Sequence, residues 1–285
     1  MPDNEQKAIE ALLARHGFRF SKSKGQNFLI DRAIPRAIAE ASGVDEGCGV
    51  LEIGPGIGAL SQELCRRAGK VVAVELDTAL PPILSETMAG FDNFELVSAD
   101  VLKVDLPALA RERFAGLTPV VCANLPYNIT TPALTKLIEA KCFERLTVLI
   151  QREVAQRICA RPGTAAYGAF SVFMQYHTAP ELCFEVAPES FIPRPKVTSA
   201  VLRAEVRKTP PVQVADEAFF FRVVYAAFAL RRKTLVNCLT TAFGALGKEK
   251  LTELVVSCGL DANVRGERLG IEEFARLATA LQQAL

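Results

Sequence analysis

The stretch from Gly49 to Ala68 leaves this chain little freedom of fold. Gly49-Val50-Leu51-Glu52-Ile53 is a short apolar run of the kind that fills a buried strand, Gly54-Pro55-Gly56-Ile57-Gly58 is a turn, and Ala59 to Ala68 is amphipathic. Strand, glycine turn and helix in that order open an α/β sheet covered by helices on both faces. Glycines at the turn let backbone pass close to a ligand with no Cβ in the way. The spacing is G-x-G-x-G, which differs from the G-x-G-x-x-G of nicotinamide sites.

Two further strands carry the pattern on. Val71 to Val74 ends at Glu75, about twenty residues past the first glycine, where a doubly wound sheet sets a carboxylate beneath a ribose. Phe94 to Ala99 ends in Asp100, which is placed to accept from the exocyclic amine of a cofactor's adenine. Each acid alone also fits a solvated strand end. Three consecutive strands that each end in Gly or an acid point to a nucleoside cofactor.

Val120 to Ala123 reads as a fourth strand that brings Asn124 to the same sheet edge. Thr131-Pro132 then predicts a helix N-cap followed by proline at the first helical position. Leu146 to Ile150 and a helix over Arg152 to Ala160 continue the alternation, while Phe170 to His177 and Val197 to Val206 read as strands closing the sheet antiparallel at one end. Lys208-Thr209-Pro210-Pro211 marks a linker, since paired prolines suit neither helix nor central strand. Beyond it, helical patterns cover Asp216 to Leu230, Leu235 to Phe243, Lys248 to Cys258 and Ile271 to Leu281, with Gly259 as a helix stop. The expectation is a Rossmann-like domain over residues 1–207, with a basic N-terminal segment, and a small all-helical domain over residues 208–285.

Asn124-Leu125-Pro126-Tyr127 carries the chemistry. A purine amine is a poor nucleophile because its nitrogen lone pair is delocalised into the ring. An Asn side-chain oxygen and a neighbouring backbone carbonyl can accept the two amino hydrogens and turn that lone pair out of the ring plane. Pro126 stiffens the backbone and holds Leu125 extended, aiming its carbonyl. Tyr127 offers a face on which a flat base stacks. The same four residues also make an ordinary turn with Tyr on the core.

Composition narrows the alternatives. A chain of 285 residues, 50% hydrophobic, can bury a large core and suits one large and one small domain. The formal charge is only +1, so affinity for nucleic acid has to come from local patches. One such patch is Arg15, Arg19, Lys22, Lys24, Arg32 and Arg36, opposed between Arg15 and Arg36 only by Asp31 and interleaved with Phe18, Phe20 and Phe28; this mixture suits phosphate contacts beside a closing segment. A second is Arg231-Arg232-Lys233. Taken singly, each of these residues also fits a solvated polar face. The N-terminus lacks a signal pattern, and the apolar run Ala218 to Leu230 is interrupted by Arg222, so no membrane association is expected. Eight cysteines without a C-x-x-C pair and two histidines, His16 and His177, suit a reducing cytoplasm, no metal centre, and no His-based acid–base chemistry.

Taken together, Gly25-Gln26-Asn27-Phe28-Leu29, the turn Glu52 to Gly58, Glu75-Leu76-Asp77, Asp100, Asn124 to Tyr127, Gln151-Arg152-Glu153-Val154-Ala155 and Phe191-Ile192-Pro193-Arg194-Pro195 resemble the small-subunit ribosomal RNA adenine dimethyltransferases. This is the KsgA/RsmA family, relatives of the Erm resistance methyltransferases and of mitochondrial transcription factor B. The resemblance runs in the family's order from about residue 21 to residue 203, with no departure at those positions. It implies an S-adenosylmethionine-dependent methyltransferase domain with a mostly parallel seven-stranded sheet. The activity it implies is the placing of two methyl groups on N6 of each of two adjacent adenines near the 3′ end of 16S ribosomal RNA, during ribosome biogenesis.

Cofactor contacts are implied at Asn27, Leu29, Gly54, Gly56, Glu75, Leu76, Asp100 and Asn124. Phe191 would stack on the target base opposite Tyr127, although an aromatic beside two prolines also simply packs a loop. Arg19, Lys22, Lys24, Arg194, Arg231 and Arg232 are the expected RNA contacts, with the helical domain reading RNA by shape. The implied partner is the immature small (30S) ribosomal subunit, engaged by a monomer in the cytoplasm. Two other readings stand beside this one: an Erm-type enzyme acting on large-subunit RNA, and an assembly factor that mainly holds back maturation of the small subunit. A small-molecule methyltransferase fits less well, because Asn124 to Tyr127 suits a planar aromatic amine.

Overall fold

The computed structural model describes residues 2–20, 25–230 and 232–285, with the side chains of residues 2–4 left aside. It divides into two compact units: residues 1–155 with 181–206, and residues 156–180 with 207–285. Residues 156–180, which the single cut expected after residue 207 leaves with the first domain, therefore group with the second unit.

In chain order the first unit contains α1 (Pro2–Arg15), β1 (Phe28–Leu29), α2 (Ala33–Ser42), β2 (Cys48–Ile53), α3 (Ala59–Cys65), β3 (Lys70–Glu75), α4 (Pro81–Thr87), β4 (Phe94–Ser98), α5 (Leu106–Arg113), β5 (Thr118–Asn124), α6 (Thr130–Glu139) and β6 (Arg145–Gln151). It continues into α7 (Arg152–Ile158) and, after α8 (Ala169–His177), takes up the later part of β7 (Thr178–Val186), then β8 (Phe191–Ile192) and β9 (Ser199–Val206). Seven strands form one sheet in the order β4-β3-β2-β5-β6-β9-β7. The pairings from β4 to β6 are parallel, and β9 lies antiparallel to β6, with Gln151 opposite Ser199.

The central strands are apolar because they are covered on both faces. All six residues of β2 and five of the six of β3 are buried. Val50, Leu51, Val71 and Val72 are completely excluded from solvent, each contributing about 1.5–3 kcal/mol relative to exposure. Helix ends follow local chemistry. Asp105 caps α5 by accepting the Ala108 N–H at 3.0 Å, and Gly43, at φ 61°, closes α2. The helix expected to begin after a Thr131 cap instead begins at Thr130, whose hydroxyl bonds back to the Pro126 carbonyl at 3.2 Å.

The second unit is helical. Its C-terminal part comprises α9 (Glu217–Phe228), α10 (Leu235–Phe243), α11 (Lys248–Ser257) and α12 (Ile271–Ala284). Asp216 caps α9 through the Phe219 N–H at 3.0 Å, and Gly259, at φ 79°, follows the end of α11. Phe170 to His177, read from sequence as a strand, lies in α8. Its aromatic residues pack on α9, with Tyr176 5.1 Å from Phe220 and His177 5.5 Å from Phe221 between ring centroids. The strand that does border β9 is β7, which follows directly.

Candidate active site

Parallel strands present their C-terminal ends at one edge of a sheet, where β3 ends in Glu75 and β5 in Asn124, and where the turns after β2 and β4 contain Gly54 and Asp100. Together with residues 25–29 they line one cleft, with about 1100 Å³ of empty volume counting its open mouth. Every residue expected at the cofactor lies on it: Asn27, Leu29, Gly54, Gly56, Glu75, Leu76, Asp100 and Asn124. So do Leu125, Pro126 and Tyr127.

The cofactor half is a backbone cradle above two carboxyl groups. Gly54, Gly56 and Gly58 have φ of 68°, 60° and 87°, conformations that side chains resist. A Cβ on Gly56 would also sit 2.9 Å from Phe28 Cδ1, so the turn is pinned beneath the segment that passes over it. Glu75, only 8% exposed, accepts the Asp77 N–H at 2.7 Å. Burial pushes its carboxyl pKa up, and backbone N–H groups of Asp77, Leu76 and Gly56 draw it back. Beside it Leu76 is 61% exposed, a bare apolar wall for a flat ring. Asp100 Oδ1 accepts the Leu102 N–H at 3.0 Å. A glycine cradle, an acid at the end of the neighbouring strand and an exposed leucine fit a nucleoside-bearing cofactor.

Below the turn lies Glu52, 1% exposed on β2. Burial raises its pKa to about 8, only tempered by Ser61, with the Glu75 charge adding to the rise. The Ser61 effect does not come from a well-formed bond, since among the described residues neither Glu52 Oε2 nor Ser61 Oγ has a hydrogen-bond partner. Glu52 is therefore predominantly protonated at neutral pH.

The other half is built around Asn124. Its Nδ2 donates to the Asn27 carbonyl at 3.0 Å. A carbonyl can only accept, so this contact fixes which end of the amide is nitrogen and leaves Oδ1 as the acceptor turned elsewhere. The Leu125 N–H extends the sheet ladder to the Leu149 carbonyl at 3.1 Å. Pro126 is extended, at φ −55° and ψ 129°. Its carbonyl is already occupied, by the Ile129 N–H at 3.1 Å and the Thr130 hydroxyl at 3.2 Å. Tyr127 is half-buried, and its hydroxyl meets Ser199 Oγ at 2.5 Å. Burial raises the Tyr127 pKa, with Ser199 tempering the shift, so the phenol is neutral.

Phe191 does not line the cleft. It is 3% exposed, within the hydrophobic core, and pairs with Leu29 where β1 and β8 run antiparallel. Its ring is packed in this structure rather than presented to the cleft.

The expected RNA contacts are scattered. Arg19 is exposed in the first unit, Arg232 in the second, and Arg194 pairs with Glu189 on the surface. Lys22, Lys24 and Arg231 lie outside the described residues. The N-terminal basic group is less bare than its sequence suggests: Arg15 pairs with Glu86, Arg32 with Glu5 at 3.4 Å and Arg36 with Glu40 at 2.9 Å.

Three contributors were not singled out as site residues in the sequence. Gln26 donates to Asp77 Oδ2 at 2.6 Å, tying the segment over the cleft to the end of β3. Ser199 holds Tyr127. Glu52 was visible only as an acid inside an apolar run, which is itself the signal that could have found it.

Comparison with known proteins agrees with this arrangement. The family model for ribosomal RNA adenine dimethylase matches residues 17–283. The chain is 46% identical over 280 residues to "Ribosomal RNA small subunit methyltransferase A" of Alkaliphilus oremlandii, covering 98% of each. It is 48% identical over 277 residues to the protein of that name from Streptococcus pneumoniae, covering 96% of each. Among solved structures, the 23S rRNA methyltransferase ErmE superposes with a TM-score of 0.69 at 27% identity, over 90% of this chain and 100% of that one. A dimethyladenosine transferase from Plasmodium falciparum, at 21% identity, shares the fold with a TM-score of 0.75 over 90% of this chain and 98% of that one. The chain belongs to the ribosomal RNA adenine dimethylase family.

Proposed function

We propose that this chain transfers methyl groups from S-adenosylmethionine to the N6 amine of adenines in small-subunit (16S) ribosomal RNA, two on each of two adjacent adenines near the 3′ end. The observation that carries the reading is the fixed amide of Asn124. With Nδ2 held by Asn27, Oδ1 is the acceptor for one amino hydrogen. With the Pro126 carbonyl occupied inside its turn, the acceptor for the other is the Leu125 carbonyl. Two acceptors on one amine favour a pyramidal nitrogen and a directed lone pair.

S-adenosylmethionine, when bound, supplies an electrophilic methyl group on a positively charged sulfur. The chain's own residues orient and shield. Glu75 would accept from the ribose hydroxyls, Leu76 would pack on the adenine, and Asp100 would accept from that adenine's amine. Gly54 and Gly56 would admit the remainder of the cofactor against backbone, and Asn27 and Leu29 would cover it. Tyr127 stacks on the target base and excludes water from one face. The cationic amine left by each transfer is strongly acidic and releases its extra proton to solvent, so no general base is needed; the lining residues include no histidine, and positioning supplies the rate.

The choice of small-subunit RNA over large-subunit RNA is supported by the 46–48% identity to relatives named for the small subunit, against 27% to ErmE. The substrate would be the immature 30S particle. The test is to incubate the protein with labelled S-adenosylmethionine and either unmethylated small subunits or large-subunit RNA, digest to nucleosides and identify products by mass. Dimethyladenosine from the small subunit alone is expected. Label confined to large-subunit RNA would transfer the assignment to the Erm type, and label in neither would refute methyl transfer to ribosomal RNA.

A further inference from the structure

We propose that Ser199 is a positioning residue that holds the long axis of the Tyr127 ring in the cleft; this rests on the reading that Tyr127 stacks on the target base. Stacking alone explains an aromatic ring at position 127 but not a phenol, because a phenylalanine ring has the same face. Among the described residues the hydroxyl makes one contact, to Ser199 Oγ at 2.5 Å across 72 residues of chain. Ser199 is itself part of the sheet. It opens β9, stands opposite Gln151 of β6, and is completely buried. It precedes Ala200, Val201 and Leu202, all excluded from solvent, so its hydroxyl lies at an otherwise apolar strand end where a partner is required.

The geometric consequence follows from the side chain's two torsions. Tyr127 is held at its Cα by the turn Tyr127–Ile129 and at its far end by the sheet. A ring tethered at both ends of its long axis cannot swing out of the cleft, whereas a ring tethered only at Cα can. The position of the ring is thus set before a base arrives, which reduces what binding must order. The requirement is stricter for the second methyl transfer than for the first, since a monomethylated amine is bulkier and has one hydrogen fewer to be gripped by Asn124 Oδ1 and the Leu125 carbonyl. Loss of the tether therefore slows the second transfer more.

The test measures kcat, KM for unmethylated small subunits, cofactor affinity and the ratio of monomethyl- to dimethyladenosine in Tyr127→Phe, Ser199→Ala and the double variant. Each single variant is expected to lower kcat about threefold to tenfold, the value of one hydrogen bond. Cofactor affinity should be unchanged and monomethyladenosine should accumulate. The double variant should be no slower than the slower single, because both remove the same bond.

Wild-type kcat and product ratio in Ser199→Ala, or losses that multiply in the double variant, would overturn the proposal. Tyr127→Phe guards against a folding defect in Ser199→Ala, since it removes the bond without altering the buried strand. Tyr127→Ala separates the two readings. Full activity in that variant would refute base stacking by Tyr127 altogether, whereas lost activity beside normal Ser199→Ala and Tyr127→Phe variants would refute only the role of Ser199.

Discussion

Glu52→Gln should gain stability relative to the wild type as pH rises, against the usual result of altering a buried polar residue. The Glu52 carboxyl ionises at an ordinary value of 4.5 when solvated and at about 8 in the fold. Between those values the unfolded chain has released a proton that the folded chain still holds, so stability falls with rising pH across that window. Below about pH 4.5 the contribution is fully favourable, and above about pH 8 it is fully lost. At about 1.4 kcal/mol per pH unit, the window from 4.5 to about 8 amounts to roughly 5 kcal/mol, of which about 3 kcal/mol has accrued by pH 7. Gln cannot ionise and has nearly the same shape, so the variant lacks the slope and retains only a constant offset from packing its amide near Ser61. Glu75, whose pKa is also raised by burial, adds a slope to both proteins, and because its charge is one cause of the Glu52 shift the difference between them reports Glu52 together with that coupling. The chain contains no Trp, so urea unfolding followed by far-UV circular dichroism, at steps from pH 4.5 to 8.5, is the suitable assay. The stability difference between variant and wild type should rise with pH and level off near pH 8. A difference that stays flat over this range would refute a protonated Glu52.

Asn124→Ala should lower kcat at least about a hundredfold, the scale of losing a directed acceptor, with cofactor affinity measured by calorimetry within about threefold of wild type; equal losses in both would mean Asn124 acts on the cofactor alone. Gly56→Ala places a Cβ 2.9 Å from Phe28 at φ 60°, which should reduce folding stability by about 1–2 kcal/mol and weaken cofactor binding at least about tenfold. Unchanged binding would remove the close approach of cofactor to that turn. Gln26→Ala breaks the 2.6 Å bond to Asp77 and should weaken cofactor binding about tenfold, since a hydrogen bond to a charged group is involved, while leaving the urea midpoint nearly unaltered. A large loss of stability with unchanged affinity would make that bond structural.

Much of the cofactor half was legible because its determinants are local. An apolar run that stops at Glu75, or a run that breaks into Gly54-Pro55-Gly56, announces a strand end, and a parallel sheet gathers strand ends at one edge without any further information. Asn124 became readable in the same way. The run Phe170 to His177 misled for a physical reason: apolar and aromatic residues at Phe170, Val172, Phe173, Met174 and Tyr176 satisfy neither period cleanly, since α8 is buried on several faces, and periodicity reports only a single buried face. β7 was hidden by its charged residues Glu181 and Glu185 and by Pro180, which an outer strand tolerates.

What the sequence withheld was partnership. Asn27 and Asn124 are 97 residues apart, and Tyr127 and Ser199 72; nothing local in either member of a pair specifies the other. Yet these two bonds set the orientation of the amide and of the ring on which the proposed reaction depends. Both anchoring atoms belong to backbone or strand, a carbonyl beside β1 and a hydroxyl at the start of β9. Recognition motifs thus identify the groups that touch a substrate, while their aim is set by the sheet and by the segment lying over it. Substitutions at such anchors should therefore alter kcat and product ratio before they alter affinity, whereas substitutions in the glycine cradle should do the reverse.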